Sequence, residues 1–337
     1  MRLALNALSQ MLCAGPPHEK QTLPVNRFLA KGRFKMATKK VKSYFINSEE
    51  KRLRAGWRLL LFMIAVPVTM RLLTLIIVPI FGSLYDINAV KWFSRGILVV
   101  IGTILLVFVF RKFIDKKSFV SLGHRFNKTA TWDMLAGFFL SGVMVGIFFL
   151  ILLCSGILDV KEINWHSTEL LPFVEILLLF LGVGVATGYS EELGFRGYIL
   201  QNLVEGIGLK WAVIVSCILY GVMHMLNPNS TILSGLLIAV FGFLRIYGWL
   251  RTGQLWLSIG MHAGWNFFQG PIFGFSISGL KSNHLVKHTL NGPEWLTGGD
   301  FGPEASIIVF PVVLFALGVM YFWSVKRKDT PYFQLKK

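Results

Sequence analysis

Residues 132–154 read WDMLAGFFLSGVMVGIFFLILLC, with Asp133 as the one charged side chain in the stretch. About 20 consecutive, mostly apolar residues are enough for a helix to cross the roughly 30 Å hydrocarbon core of a bilayer. Working outward, similar stretches lie at 57–82, 92–110, 170–190, 211–226, 231–250, 254–270 and 306–325. The composition agrees: 54% of the 337 residues are hydrophobic and 15% are charged, against roughly 25% charged in soluble domains. An ordinary cytosolic enzyme is excluded, and 29 phenylalanines exclude a disordered chain. The expected fold is all-α, a polytopic membrane bundle of about eight transmembrane helices.

The net charge of +17 would suit a nucleic-acid partner if the basic residues formed a patch on a soluble domain. They sit instead in tails and short loops between apolar blocks, so the partner they imply is the lipid bilayer and not nucleic acid. Lys39, Lys40, Lys42, Lys51, Arg52 and Arg54 precede the first span. Arg111, Lys112, Lys116, Lys117, Arg125 and Lys128 follow the second, and Lys326, Arg327, Lys328, Lys336 and Lys337 follow the last. The loop at 155–169 carries Asp159, Glu162 and Glu169 against Lys161. With eight spans, every basic cluster falls on one side, which the positive-inside rule makes cytoplasmic. The expectation is a multi-pass plasma-membrane protein with both termini in the cytoplasm.

Three regions follow from this layout: a basic N-terminal tail over 1–55, a membrane domain over 56–325 with its motif core at 180–270, and a basic C-terminal tail over 326–337. Residues 1–35 read either as a start-site artefact, since Met36-Ala37-Thr38-Lys39-Lys40 is a more conventional opening, or as a genuine tail. The 271–305 segment reads as a long outward loop with a short interfacial helix. Cys13, Cys154 and Cys217 have no disulfide or zinc spacing.

Charged groups inside a span are costly and usually face a protein interior or a watery cavity. Three places break the apolar pattern. In Ser190-Glu191-Glu192-Leu193-Gly194-Phe195-Arg196-Gly197, Glu192 and Arg196 share a helix face and can pair, while Glu191 points about 100° away. Glu191 has the character of a general base, and equally of an acid at a helix end facing water. His224 is the second, and a lone histidine on an apolar helix is ordinarily structural. His262 and Asn266 are the third, four apart on one face, and such a pair serves equally as a helix–helix clamp. Together, a carboxylate, two imidazoles and an amide suffice to activate water and stabilise an oxyanion. Glu191, His224 and His262 are also zinc-ligand types. Arg58, Arg71 and Arg95 read as snorkelling or span-end residues, and Arg245 and Arg251 as flanks of the sixth span. The run Gly182-Val183-Gly184-Val185-Ala186-Thr187-Gly188 fits close helix packing.

These three segments resemble the CPBP family of intramembrane proteases, the type II CAAX prenyl endopeptidases and their bacterial relatives described as CAAX-protease or bacteriocin-immunity proteins. The family pattern is Glu-Glu-x-x-x-Arg, Phe-x-x-x-His and His-x-x-x-Asn/Asp on successive helices. Glu191, Glu192 and Arg196 match the first, His224 the second with Tyr220 in the phenylalanine position, and His262 and Asn266 the third. The resemblance covers about 180–270. It implies a hydrolase in which Glu191 with His224 activates water against a peptide carbonyl, His262 and Asn266 hold the oxyanion, and Glu192 with Arg196 braces the site. The substrate would be a membrane-associated peptide or protein, approaching from the cytoplasm or the lipid. The family is described both as metalloproteases and as metal-independent glutamate proteases, so a zinc ion on Glu191, His224 and His262 and a metal-free site are both open. The alternative function is non-catalytic: bacteriocin self-immunity or peptide binding on the same fold.

Overall fold

The computed structural model describes residues 43–82, 87–163 and 170–326; most of both expected tails, including the question of the start site, lies outside them. The chain divides into Met1–Glu50 and Lys51–Lys337. In the first unit, Asn47 accepts the backbone N–H of Glu49 at 3.0 Å. The second unit carries everything that follows.

Its helices are α1 (Ala55–Phe81), α2 (Asn88–Val109, continued by a π-helical turn Phe110–Ile114), α3 (Lys128–Cys154), α4 (Leu170–Leu179), α5 (Thr187–Glu191), α6 (Leu200–His224), α7 (Ile232–Thr252), α8 (Trp256–Phe267, continued by a π turn Phe268–Ile272), α9 (Glu294–Thr297) and α10 (Val309–Lys326). The π-helical turns Phe180–Ala186 and Glu192–Ile199 join α4, α5 and α6 into one run. Local chemistry sets several boundaries. Asn127 caps α3 by accepting from Ala130 N at 2.8 Å, and Thr231 with Ser234 forms a reciprocal capping box on α7. Gly253, at φ 66°, closes α7.

The protein is an all-α polytopic bundle. Six helical runs among the described residues are long and apolar enough to cross a membrane, one of them Val174–His224 with 51 residues. That run contains two of the eight stretches read from the sequence. Gly208, at φ 78° and ψ 163°, interrupts it with a non-helical backbone. A straight helix would separate residues 191 and 220 by about 44 Å, yet the Tyr220 hydroxyl donates to Glu191 Oε2 at 2.9 Å. The chain therefore reverses at Gly208, and residues on its two sides run antiparallel. The stretch read at 254–270 falls on α8, whose 12 residues are too few to count as a span by length.

Helix α8 sits at the centre, seated by glycine. A Cβ on Gly260 would stand 2.0 Å from Met134 O, and one on Gly264 2.4 Å from Phe138 O, both in α3. The Gly182–Gly188 run does what its small residues suggest: a Cβ on Gly188 would meet Ala263 N at 2.7 Å, and one on Gly182 the Trp92 carbonyl at 2.6 Å. Two apolar clusters flank these seams, one around Phe62, Tyr198, Trp249 and Ile259, the other around Met144, Phe148, Trp265 and Val312. Leu72, Ile80, Phe139, Ile232, Leu236 and Phe322 are exposed on the outer surface, where lipid is the fitting solvent.

Between α3 and α4, strand β1 (Leu158–Ile163) pairs antiparallel with β2 (Val286–Leu290) from the long segment after α8, with an irregularity between Val160 and Glu162. The sequence predicts an outward loop with a short helix there; the segment carries α9 and adds a strand. At the opposite end of the bundle, Arg58 is 1% exposed and is not a snorkelling residue. Its guanidinium pairs with Asp115 at 2.8 Å and Glu205 at 3.0 Å. Asp115 also takes Arg111 at 3.0 Å, Tyr198 OH at 3.2 Å and Asn202 Nδ2 at 3.3 Å. A buried arginine is tolerated there because its charge is matched and hydrogen-bonded.

Candidate active site

The Gly208 reversal and the glycine seams bring three separate sequence motifs onto one cavity. It has a volume of about 80 Å³, room for several waters where one needs roughly 10–15 Å³. Glu191, His224, His262 and Asn266 all line it. Glu191 stands at the end of α5, His224 at the end of α6, and His262 and Asn266 on α8.

The distances define a converging set. Glu191 Oε2 lies 3.9 Å from His224 Nε2 and 3.8 Å from His262 Nε2. Neither is a direct hydrogen bond, and both leave room for a bridging water. The outer nitrogens are occupied. His262 Nδ1 is 2.9 Å from Glu192 Oε1, and His224 Nδ1 is 2.9 Å from the Tyr220 carbonyl. Both partners are acceptors, with Glu192 Oε1 also receiving Arg196 Nη1 at 3.2 Å. Each Nδ1 therefore carries a proton for its acceptor, and each Nε2 is the ring nitrogen turned toward Glu191. Water seated among them has hydrogen-bonding partners on Glu191, His224 and His262.

Glu192 and Arg196 are behind the cavity, 0% and 1% exposed. Their pairing, readable from the i,i+4 spacing, is present, and Arg196 Nη2 also donates to the Gly242 carbonyl at 3.3 Å. The Arg196 guanidinium lies 4.2 Å from the centre of the Tyr220 ring. Asn266 Nδ2 reaches the Val183 carbonyl at a long 3.4 Å.

Arg245 corrects the sequence reading. It is not a flanking residue: it is 5% exposed, donates to the Tyr220 hydroxyl at 2.8 Å and lies 3.7 Å from Glu192 Oε1. Seven residues before the end of α7, it lies about 10 Å below the helix end, too deep to snorkel. That depth was the available signal. Tyr220 is not a silent stand-in for phenylalanine either, because its hydroxyl relays Arg245 to Glu191. Glu304, from outside every motif, also lines the cavity. It accepts from Trp265 Nε1 at 3.2 Å, Gln269 Nε2 at 2.6 Å and Ser278 Oγ at 3.3 Å. Burial pushes its carboxyl above the usual range, with its backbone amide and the Gln269 and Trp265 donors working against that shift. No spacing rule pointed to it.

A zinc site is judged on the donor atoms. Zinc–ligand bonds of about 2.0–2.1 Å at tetrahedral angles put donors about 3.4 Å apart. The separations from Glu191 are 3.8 and 3.9 Å, and Oε2 is already held by Tyr220. Among the described residues no group of three or more His, Cys, Asp or Glu has a metal-holding arrangement. As they stand, Glu191, His224 and His262 do not fit a zinc ion.

Residues 173–268 match the family described as Type II CAAX prenyl endopeptidase Rce1-like. This stretch is similar to that domain family. It contains all six motif residues, whereas Glu304 lies beyond it. The chain is also 36% identical over 153 residues to the uncharacterized protein YyaK of Bacillus subtilis (strain 168), covering 42% of this chain and 46% of that protein. The matched part is thus under half the length of that relative. The matched family is a protease family, and the matched residues fall largely within the apolar helices.

Proposed function

We propose that this protein is an intramembrane endopeptidase that hydrolyses peptide bonds in membrane-associated protein or peptide substrates. One observation carries the reading: a carboxylate oxygen and two imidazole nitrogens converge within 3.9 Å on a cavity with room for water. Water bound among them attacks the peptide carbonyl carbon, and its proton passes to Glu191, with His224 orienting the attack. The carbonyl oxygen becomes the oxyanion. Asn266 Nδ2, only loosely held by Val183, turns to it. His262, in its imidazolium form beside Glu192, donates from Nε2. The proton on Glu191 then moves to the leaving nitrogen as the C–N bond breaks, giving an amine and a carboxylic acid, which releases the second proton of the attacking water to solvent. Arg196 and Arg245 hold Glu192 in place.

Cleavage of a natural substrate, identified by trapping in cells, is the deciding assay. Glu191→Gln is expected to lower turnover by about 10²–10⁴-fold, the usual contribution of a general base, and His262→Ala by a similar factor. Unchanged cleavage in either variant overturns the proposal. A pure peptide binder, as in bacteriocin self-immunity, would keep its full protective effect in Glu191→Gln, since that change is nearly isosteric. The proposed step uses no metal, so chelation should leave activity intact. Loss on chelation with recovery on adding zinc would replace the water-only mechanism with a metalloprotease one.

A further inference from the structure

The cavity has a mouth, and the residues around it lie at one end of the bundle. Trp92 stands in the opening turns of α2, Asn227 just past the end of α6, Ser278 and Leu280 past the end of α8, and Glu304 just before α10. Consecutive membrane crossings alternate in direction, with the run from α4 to Gly208 counting as one, so these positions share an end with the β1–β2 hairpin. The other end holds the start of α1, the end of α2 and the Gly208 reversal, tied together by Arg58, Asp115 and Glu205. None of the residues lining the cavity comes from that end.

The mouth is built rather than incidental. Asn227 Nδ2 donates to the Ser278 carbonyl at 3.1 Å, and Gly279 N donates to Phe301 O at 2.8 Å. Gly279, at φ +84°, passes so close to the 225–231 turn that a Cβ would meet Pro228 O at 2.0 Å. Glu304 ties Ser278 to Trp265 and Gln269, and so anchors the rim to the helix bearing His262 and Asn266.

The two ends differ in charge. The 111–128 segment carries six basic residues against Asp115. At the mouth end, residues 155–163 and 273–308 carry Lys161, Lys281 and Lys287 against Asp159, Glu162, Glu294, Asp300 and Glu304. Basic segments are retained in the cytoplasm. We infer that the cavity opens to the extracytoplasmic side, so that its substrates are peptide segments presented at the outer leaflet. This reverses the cytoplasmic approach expected from the loop charges. Those charges orient the helix ends, but Glu191 lies about 17 residues before the Gly208 turn and its cavity opens away from that turn. The substrate clause rests on the peptidase reading; the side of opening does not.

Cysteine accessibility in intact cells tests it. In the full chain with Cys13, Cys154 and Cys217 replaced by serine, Leu280→Cys at the mouth and Arg125→Cys at the basic end are treated with a membrane-impermeant maleimide. Leu280→Cys should label in intact cells as fully as after permeabilisation, and Arg125→Cys only after permeabilisation. The opposite pattern overturns the inference. Should the serine-replaced chain not accumulate, trypsin on spheroplasts carrying the native chain separates the two orientations equally well. Cleavage at Lys281, whose side chain is 74% exposed, supports the inference, and cleavage confined to 111–128 overturns it. Neither readout needs turnover, so a failed peptidase assay leaves this result standing.

Discussion

Tyr220 shows how one hydroxyl alters a site. It donates to Glu191 and accepts from Arg245, so Glu191 is linked through it to a guanidinium and, through that guanidinium, to Glu192. Where phenylalanine stands at this position, Arg245 has no hydroxyl to meet and Glu191 has one donor fewer. Hydrogen bonds to charged groups contribute about 1.5–3 kcal/mol, so Tyr220→Phe should cost about tenfold or more in kcat while KM changes little. Steady-state kinetics on one substrate decides it; a rise in KM at constant kcat would make the hydroxyl a substrate contact instead. The i,i+4 pairs Glu192–Arg196 and His262–Asn266 were legible from spacing, because helix geometry alone puts them on one face. Arg245 and Glu304 were not, since their partners lie on other elements and no spacing within one helix relates them.

At the scale of elements, the site depends on helices lying closer than side chains normally allow. Gly260 faces Met134 O so tightly that any Cβ must push α8 off α3. Overpacking typically costs about 1–3 kcal/mol and occasionally more, and here it would also shift His262, two residues on. Gly260→Ala should therefore lower both the melting temperature in detergent and the activity. Gly146→Ala, in α3 with nothing within 4 Å of its Cβ, should hold or slightly raise stability, because alanine is the better helix former. Equal behaviour of the two variants would mean that the seam is not tight. Gly208 has a different role: its φ of 78° with ψ of 163° belongs to a region nearly restricted to glycine, and the reversal there forms the site. The apolar stretches on either side were readable, but a glycine inside an apolar run does not declare whether it packs or turns.

Across the whole molecule, the polar network at the basic end joins α1, α2 and the run bearing Glu191. Asp115 is fully buried and takes two arginines, a tyrosine and an asparagine. Asp115→Asn would leave two buried guanidinium groups short of counter-charge, and breaking a buried pair costs about 3–5 kcal/mol. The expected result is a large drop in thermal stability in detergent, with Asp159→Asn in the exposed hairpin as the neutral comparison. A melting curve that does not move would show that Glu205 alone balances the cluster.

The chain's letters alone determined the all-helical membrane architecture, the stretches that became helices and the six motif residues. Those follow from local physics: apolar length matched to a bilayer, and helical periodicity placing residues four apart on one face. Only the tertiary structure decided that Gly208 folds one long run back on itself, that Arg245 and Glu304 join the cavity, and which end of the bundle the cavity opens toward. Each of these depends on how separate helices approach one another, and in lipid that approach is set by close backbone packing and matched polar groups rather than by any pattern within a single segment.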